Sequence, residues 1–529
     1  MRNRVIIIGS GLGGLLTGYL LSKEGLKVTV LEKHRKFGGC LQTFKRDRYT
    51  FDTGMHYIGS MAPGQTLHNY WKYFGLTGKL DLLQMDPDGF DRISFGSSGT
   101  SGITQEFPLS QGFDNFKDQL LSYFPDAGSA LSAYIQKLQE IATSHPLYNL
   151  ELTTGSYNDH FQSINASNYL SSLSSDSYLP HPRPLPNKGG GAGVSGIRHP
   201  ALSLRAERSS GIRLSDILAG NNFLYAGNPA TTPLSQFGLI NHSFISSSWR
   251  LAGGSQQIAD ILAEGIRAHG GEVLAKKKVV GIQKKGVQFD VMTADGDHFK
   301  SGQLISDIHP AVTLQLLEGI PVQKAYRERI SSLENSISVF SVYLGLKPGT
   351  FPFLNHNIYH HTSPNVWTDT RSQFLFMTPP EKSQGTFANT AIVMAPMQFN
   401  EVRKWEKSDS GVREKAYFVF KARKAKQLLE AVYQKFPDLK EAMMTIEIST
   451  PLTWRDYTGS PQGSMYGIVK DAANPQKTII FPKTKIHGLY LTGQSINLHG
   501  ALGVTIGAVM TCGEILGIPR VMETIKRAL

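Results

Sequence analysis

Val5-Ile6-Ile7-Ile8-Gly9-Ser10-Gly11-Leu12-Gly13-Gly14, followed at a distance by Glu32, is the stretch whose reading decides the fold. A short apolar run breaks into glycines, and Leu15, Leu16, Tyr19 and Leu20 then repeat on one helical face until Gly25. Val28-Thr29-Val30-Leu31 reads as a second strand, which closes a strand–helix–strand unit with an acid at its end. Each glycine of Gly9-x-Gly11-x-x-Gly14 has a physical role. Gly9 allows a tight turn, Gly11 lets main chain approach a pyrophosphate, and Gly14 lets helix and strand lie close. The helix start offers unpaired N–H groups and partial positive charge to phosphates, and Glu32 is placed to accept hydrogen bonds from ribose hydroxyls. Gly191-Ala192-Gly193-Val194-Ser195-Gly196 matches the same pattern with no strand before it and no helical periodicity after it. Context rejects it.

Two further pieces of the same kind lie far along the chain. Gly253-Gly254-Ser255 leads a helical pattern (Ile258, Ile261, Leu262, Ile266) that Gly270-Gly271 ends, and a β-rich run reaches Val279 and Ile282. Near the end, Gly488-Leu489-Tyr490-Leu491-Thr492-Gly493 precedes a glycine-rich helix from about Gly503. The expectation is an α/β protein with a discontinuous Rossmann-like domain from residues 1–75, 245–315 and 480–529. Residues 76–244 and 316–479 then form a mixed α+β substrate domain, and 529 residues suffice for both. Residues 180–213 stand apart. Pro180, Pro182, Pro184 and Pro186 precede Gly189-Gly190-Gly191, no apolar periodicity survives, and the composition cannot offset chain entropy. This segment reads as a disordered insertion without catalytic function.

The residues after Glu32 specify the cofactor. Glu32-Lys33, then Phe37-Gly38-Gly39-Cys40-Leu41-Gln42-Thr43, resembles the paired-glycine motif of flavoproteins with the glutathione-reductase type of FAD fold. Thr492-Gly493-Gln494 is similar to the strand end that meets the flavin-bearing chain there, with Gln494 where an acid is usual. Four stretches extend the resemblance: Gly38 to Phe44, Tyr49 to Gly59 (ending His56-Tyr57-Ile58-Gly59), Gly253 to Ala259, and Asn497-Leu498-His499-Gly500. Together they resemble the group of phytoene desaturases, carotenoid isomerases and retinol saturases, nearest the retinol saturase branch. The resemblance implies FAD held by Gly9, Gly11, Leu12, Gly13, Gly14, Glu32, Lys33, Gly38, Gly39, Cys40, Thr43, His56, Val279, Gly493, Gln494, Gly500, Leu502, Gly503 and Val504. It implies hydride transfer to or from a carbon–carbon bond of a retinoid- or carotenoid-like polyene. Saturation needs a proton donor as well, for which His56, Tyr57, His499 and Tyr457 are the candidates.

Composition excludes other classes. Two cysteines, Cys40 and Cys512, make no disulfide framework, which fits a reducing, cytoplasmic setting. His356, His360 and His361 lack the spacing of a metal site. The net charge of +12 owes much to residues 181–213, with six Lys/Arg against one acid, and no nucleic-acid motif accompanies it. Peripheral attraction to anionic lipid stays open. Arg2, Arg4 and the run after them imitate an export signal, but glycines interrupt the run at once. Ala501 to Ile518 is almost long enough to span a bilayer, yet carries Glu514 and many glycines, so a buried helix is expected. No second glycine fingerprint is credible, so electrons must pass to or from a separate partner. Two rivals remain: flavin amine-oxidase chemistry, and a prenyl-chain-binding escort protein without redox function.

Overall fold

The computed structural model describes residues 3–96, 104–145, 147–151, 160–173, 211–367, 373–409 and 411–529. All but the last three residues of the 180–213 segment lie outside these.

Five parallel strands form the sheet that the glycine stretch begins. In spatial order they are Glu272–Leu274, Lys27–Leu31, Arg4–Ile8, Gln303–Ser306 and Leu489–Leu491. Val5 lies opposite Val28 on one side and Gln303 on the other. Parallel strands covered on both faces need apolar side chains throughout, which is why Val5 to Ile8 is continuous and buried. The helix Leu12–Lys23 packs on this sheet beside the helices Gln256–Ala268 and Gly500–Leu516. Three remote pieces of chain thus make one layer. The sequence reading differs in two places. The run through Val279 is a strand, Val279–Lys285, but it pairs antiparallel with Gln288–Thr293 in a separate small sheet. Gln303–Ser306 has no expectation behind it, because two apolar residues between polar ends are too short a pattern to read.

A second, seven-stranded sheet carries the opposite half of the molecule. Its order is Met443–Ser449, Ser338–Leu346, Thr390–Met397, Phe374–Met377, Asn357–His361, Asp91–Gly96 and Thr104–Leu109. Every pairing is antiparallel except that of Asn357–His361 with Asp91–Gly96. Side chains alternate across it with period two. Phe340, Val342, Leu344, Phe376 and Val393 pack on one face against the helix Lys415–Lys435. Val339, Tyr343, Tyr359, Leu375, Ile392 and Met394 turn to the other face and join the main core. Tyr359 lies opposite Leu375, and Leu375 opposite Met394, so three strands present one continuous row.

Tyr70, Trp71, Tyr73 and Phe74 lie on or directly after the helix Thr66–Tyr73 and are wholly buried. The Tyr70 hydroxyl donates to the Leu147 carbonyl, and the Trp71 indole N–H donates to Thr505 Oγ1 at 3.2 Å. These aromatics are core. So are Leu131, Tyr134, Leu138 and Ile141, whose helix packs on Leu234–Ser246. Among the described residues no helix is long and apolar enough to cross a membrane.

Candidate active site

A cleft of about 400 Å³ opens along the carboxyl ends of the parallel strands. Its walls are largely main chain. The helix Leu12–Lys23 starts at Gly11 with no side-chain cap and no acid in its first turn, so its N–H groups are not answered by its own side chains. A Cβ on Gly13 would come 2.8 Å from the Gly493 backbone, and one on Gly39 would lie 3.4 Å from Gly11 Cα. First strand, paired-glycine turn and last strand therefore converge to a spacing that side chains would prevent. Gly9, Gly11, Leu12, Gly13, Glu32, Lys33, Gly38, Gly39, Cys40, Val279, Gly493, Gln494, Gly500 and Val504 all line this cleft. Glu32 accepts from Ser10 N–H at 3.2 Å and from His34 N–H at 2.9 Å, which holds its carboxylate at the strand end. Burial pushes the Cys40 thiol up to about 12, so it is an inert wall and not a nucleophile.

Five residues from the expected set do not line the cleft: His56, Leu502 and Gly503 face the chamber described below, and Gly14 and Thr43 line neither space. Gly14 does not face the cleft; its missing side chain admits the Gly9 carbonyl, which a Cβ would meet at 2.3 Å. Thr43 belongs to a joint behind the cleft. There the Asp52 carboxylate accepts from Ser255 N–H (2.8 Å) and Ser255 Oγ (2.9 Å), and a Cβ on Gly254 would lie 2.7 Å from Thr43 Cγ2. The joint ties the stretch around Tyr49 to the stretch around Gly253: Asp52 fastens the start of the helix Gln256–Ala268.

Asp307 is the residue that sequence reasoning missed. It follows directly on the strand Gln303–Ser306, and its carboxylate lies against Gly11, Gly13 and Gly14 at the start of the helix Leu12–Lys23. A Cβ on Gly11, Gly13 or Gly493 would come within 2.6 Å of its carboxylate oxygens. Burial, with the nearby Glu32 charge, raises it to about 8 although the glycine N–H groups pull the other way. Held neutral, the carboxyl tolerates an anion at the helix start. No glycine pattern announces it.

Behind the cleft lies a smaller chamber of about 110 Å³. Gly54, Met55, Met465, Tyr466, Gly500 and Ala501 wall both spaces, so the two meet there. Phe223, Leu224, Leu239, Ile240, Phe244, Leu375 and Met394 make the far walls apolar, and among the described residues no carboxylate side chain lines it. His56, Tyr57, His499, Leu502 and Gly503 face this chamber. Neither His56 ring nitrogen has a partner, and burial, with Arg250 nearby, lowers the ring to about 4. His499 stacks on Tyr466 (4.2 Å between ring centres), its Nε2 is unpaired, and burial takes it down to about 3. Both rings are neutral near pH 7. Tyr457 is remote from the chamber: it is 58% exposed and stacks on His34 at the cleft mouth. His360 meets Ser94 and His361 meets the Gly220 carbonyl.

Comparison with known proteins agrees with this geometry. Residues 7–74 match the family described as an NAD(P)-binding Rossmann-like domain. The all-trans-retinol 13,14-reductase of Danio rerio is 26% identical over 560 residues, which cover 97% of this chain and 85% of the relative. The chain is an oxidoreductase related to the retinol reductases and prolycopene isomerases. The chloroplastic prolycopene isomerase of Arabidopsis thaliana is 24% identical over 526 residues, covering 96% of this chain and 82% of that one. A solved putrescine oxidase, the wild type bound to putrescine, superimposes with a TM-score of 0.61 at 14% identity over 100% of both chains. That likeness shows the shared fold: a Rossmann-like layer joined to a mixed α/β half.

Proposed function

We propose that this oxidoreductase holds FAD in the large cleft and acts on a carbon–carbon bond of a retinoid- or carotenoid-like polyene in the adjoining chamber. The observation that carries the reading is the junction of the two spaces, one walled by glycine main chain and the other by apolar side chains. The residues present fit the cofactor. The helix start at Gly11 to Gly13 would hold the pyrophosphate, Glu32 the ribose and Val279 the adenine end. Gly493, Gln494 and the start of the helix Gly500–Leu516 would hold the ring end. Bound there, the flavin supplies or accepts the hydride.

The protein's share is alignment, dryness and a proton. The row Tyr359, Leu375 and Met394, faced by Phe244 and Leu224, excludes water from the reacting carbons. Neutral His56 and His499 add polar edges without a fixed charge. An ammonium substrate would find no carboxylate in these walls, which disfavours amine oxidation. A glycine cleft kept whole from Gly9 to Gly493 disfavours the escort reading. No second dinucleotide fingerprint is read in the sequence, so the electron partner is a separate molecule. The test is flavin content together with turnover of all-trans-retinol by the reduced protein. A protein that binds no flavin ends the cofactor reading, and one that binds it but leaves retinol and β-carotene untouched ends the substrate reading.

A further inference from the structure

We infer that Tyr359, Tyr57 and Asp91 form a switchable proton relay opening into the chamber, with the Tyr359 hydroxyl as the group that exchanges a proton with the substrate carbon. The inference rests on the function proposed above and names residues for the half of the reaction that falls to the protein. Tyr57 and Tyr359 both wall the chamber. Their hydroxyls are 2.6 Å apart, and Tyr57 Oη is 3.0 Å from Asp91 Oδ2. Asp91, the first residue of its strand, is wholly buried. Its other oxygen accepts from Asn357 Nδ2 at 2.9 Å.

The direction of the chain of hydrogen bonds depends on one proton. With Asp91 ionised, Tyr57 must donate to the carboxylate and Tyr359 must donate to Tyr57, so neither O–H is free. With Asp91 protonated, the carboxyl donates to Tyr57, Tyr57 donates to Tyr359, and the Tyr359 O–H is released into the chamber. The protonated form is a proton donor to the chamber, and the ionised form is an acceptor. Both states are accessible because burial and the surrounding donors act on Asp91 in opposite directions. Burial raises the carboxyl to about 7, while hydrogen bonds from Asn357 and Tyr57 and the nearby Arg250 charge oppose it. Arg250 reaches Asp91 only through Asn357: its Nη2 donates to Asn357 Oδ1 at 2.6 Å, and its Nη1 to the Leu354 and Thr378 carbonyls at 2.8 Å. His56 also faces this group and is neutral near pH 7. A buried ion pair would have fixed Asp91 in one state; an intervening amide does not.

In saturation, one C–H bond would form with hydride supplied by a flavin bound in the cleft, as the π bond breaks. The neighbouring carbon keeps the π electron pair and takes the proton from Tyr359. Tyr359 recovers a proton from Tyr57, and Tyr57 from Asp91, which is left ionised. Desaturation runs the same steps backwards. Tyr359, which meets the substrate carbon, is the catalytic residue on this account, and Tyr57 and Asp91 act through it by passing the proton along.

Infrared spectra of the full-length holoprotein, taken one pH unit either side of neutrality, test the relay without turnover. A buried carboxyl C=O band should titrate near pH 7 and be missing from Asp91→Asn. In Tyr57→Phe its midpoint should move up, because a donor to the carboxylate is gone. Absence of the band, or an unmoved midpoint, overturns the relay whatever the substrate proves to be. With all-trans-retinol and reduced protein, Tyr359→Phe should slow saturation by on the order of 100-fold with flavin content unchanged. Wild-type saturation should fall as pH rises through about 7, and Asp91→Asn should flatten that profile. Normal rates in Tyr359→Phe overturn the relay. A wild type that turns over neither direction overturns the substrate reading and leaves the infrared result to decide this one.

Discussion

The cleft and the chamber share six wall residues, yet they are built by opposite means. The cleft is main chain brought close by missing side chains, at Gly11, Gly13, Gly39 and Gly493. The chamber is side chains presented in rows by strands and helices far apart in sequence, as where Tyr359, Leu375 and Met394 align. A main-chain site tolerates little change at its glycines and much around them. A side-chain site tolerates many apolar exchanges, so the chamber's walls can drift while the glycine cleft stays.

Four expected outcomes put that contrast to the proof. The largest belongs to Gly14→Val, whose Cβ would fall 2.3 Å from the Gly9 carbonyl. Overpacking helix against strand should cost about 3 kcal/mol and empty the cleft of flavin, read by urea unfolding and flavin absorbance. Next, Met394→Trp should fill the chamber and cut polyene turnover by on the order of 100-fold through misplaced substrate. Its flavin content should match wild type; loss of flavin would mean the two sites are not separable.

A smaller effect follows from Asp307. Its carboxyl is neutral below about 8 and anionic above, so affinity for an anionic cofactor should fall as pH rises past that value. The fall should approach about tenfold per pH unit for a single proton, and Asp307→Asn should bind FAD with no such slope in titrations from neutral to alkaline pH. Retention of the slope in Asp307→Asn would place the titration elsewhere. The smallest effect is none: deleting residues 181–210, which spares the buried Ile212 and the helix-capping Arg213, should leave flavin content and turnover unchanged, and loss of both would show that the insertion is functional.

How much was legible follows from the same contrast. Gly9, Gly11, Gly13, Glu32 and the Gly38-Gly39 turn announce themselves because glycine spacing is a local signal, and the structure brings them together along one cleft. Gly14 and Thr43 belong to the same readable motifs, but their contribution is close packing, against the Gly9 carbonyl and at the Gly254 joint. Asp307 was invisible because its strand offers only Leu304 and Ile305 as pattern, and its position depends on a pairing with Arg4–Ile8. Leu375 and Met394 read as ordinary strand residues; only the register of three strands turns them toward Tyr359. Asp91 and Arg250 look like surface charges in sequence, since nothing local shows that Asn357 will stand between them.

The most direct test of the central claim is an anaerobic visible spectrum of the purified protein, chemically reduced, before and after addition of all-trans-retinol. The account predicts a bound flavin whose oxidised colour returns as the polyene is saturated, or, starting from oxidised protein, bleaches as the polyene is desaturated. A bound flavin that responds in neither direction would contradict the polyene chemistry, and a protein that neither carries nor accepts flavin would contradict the cleft itself.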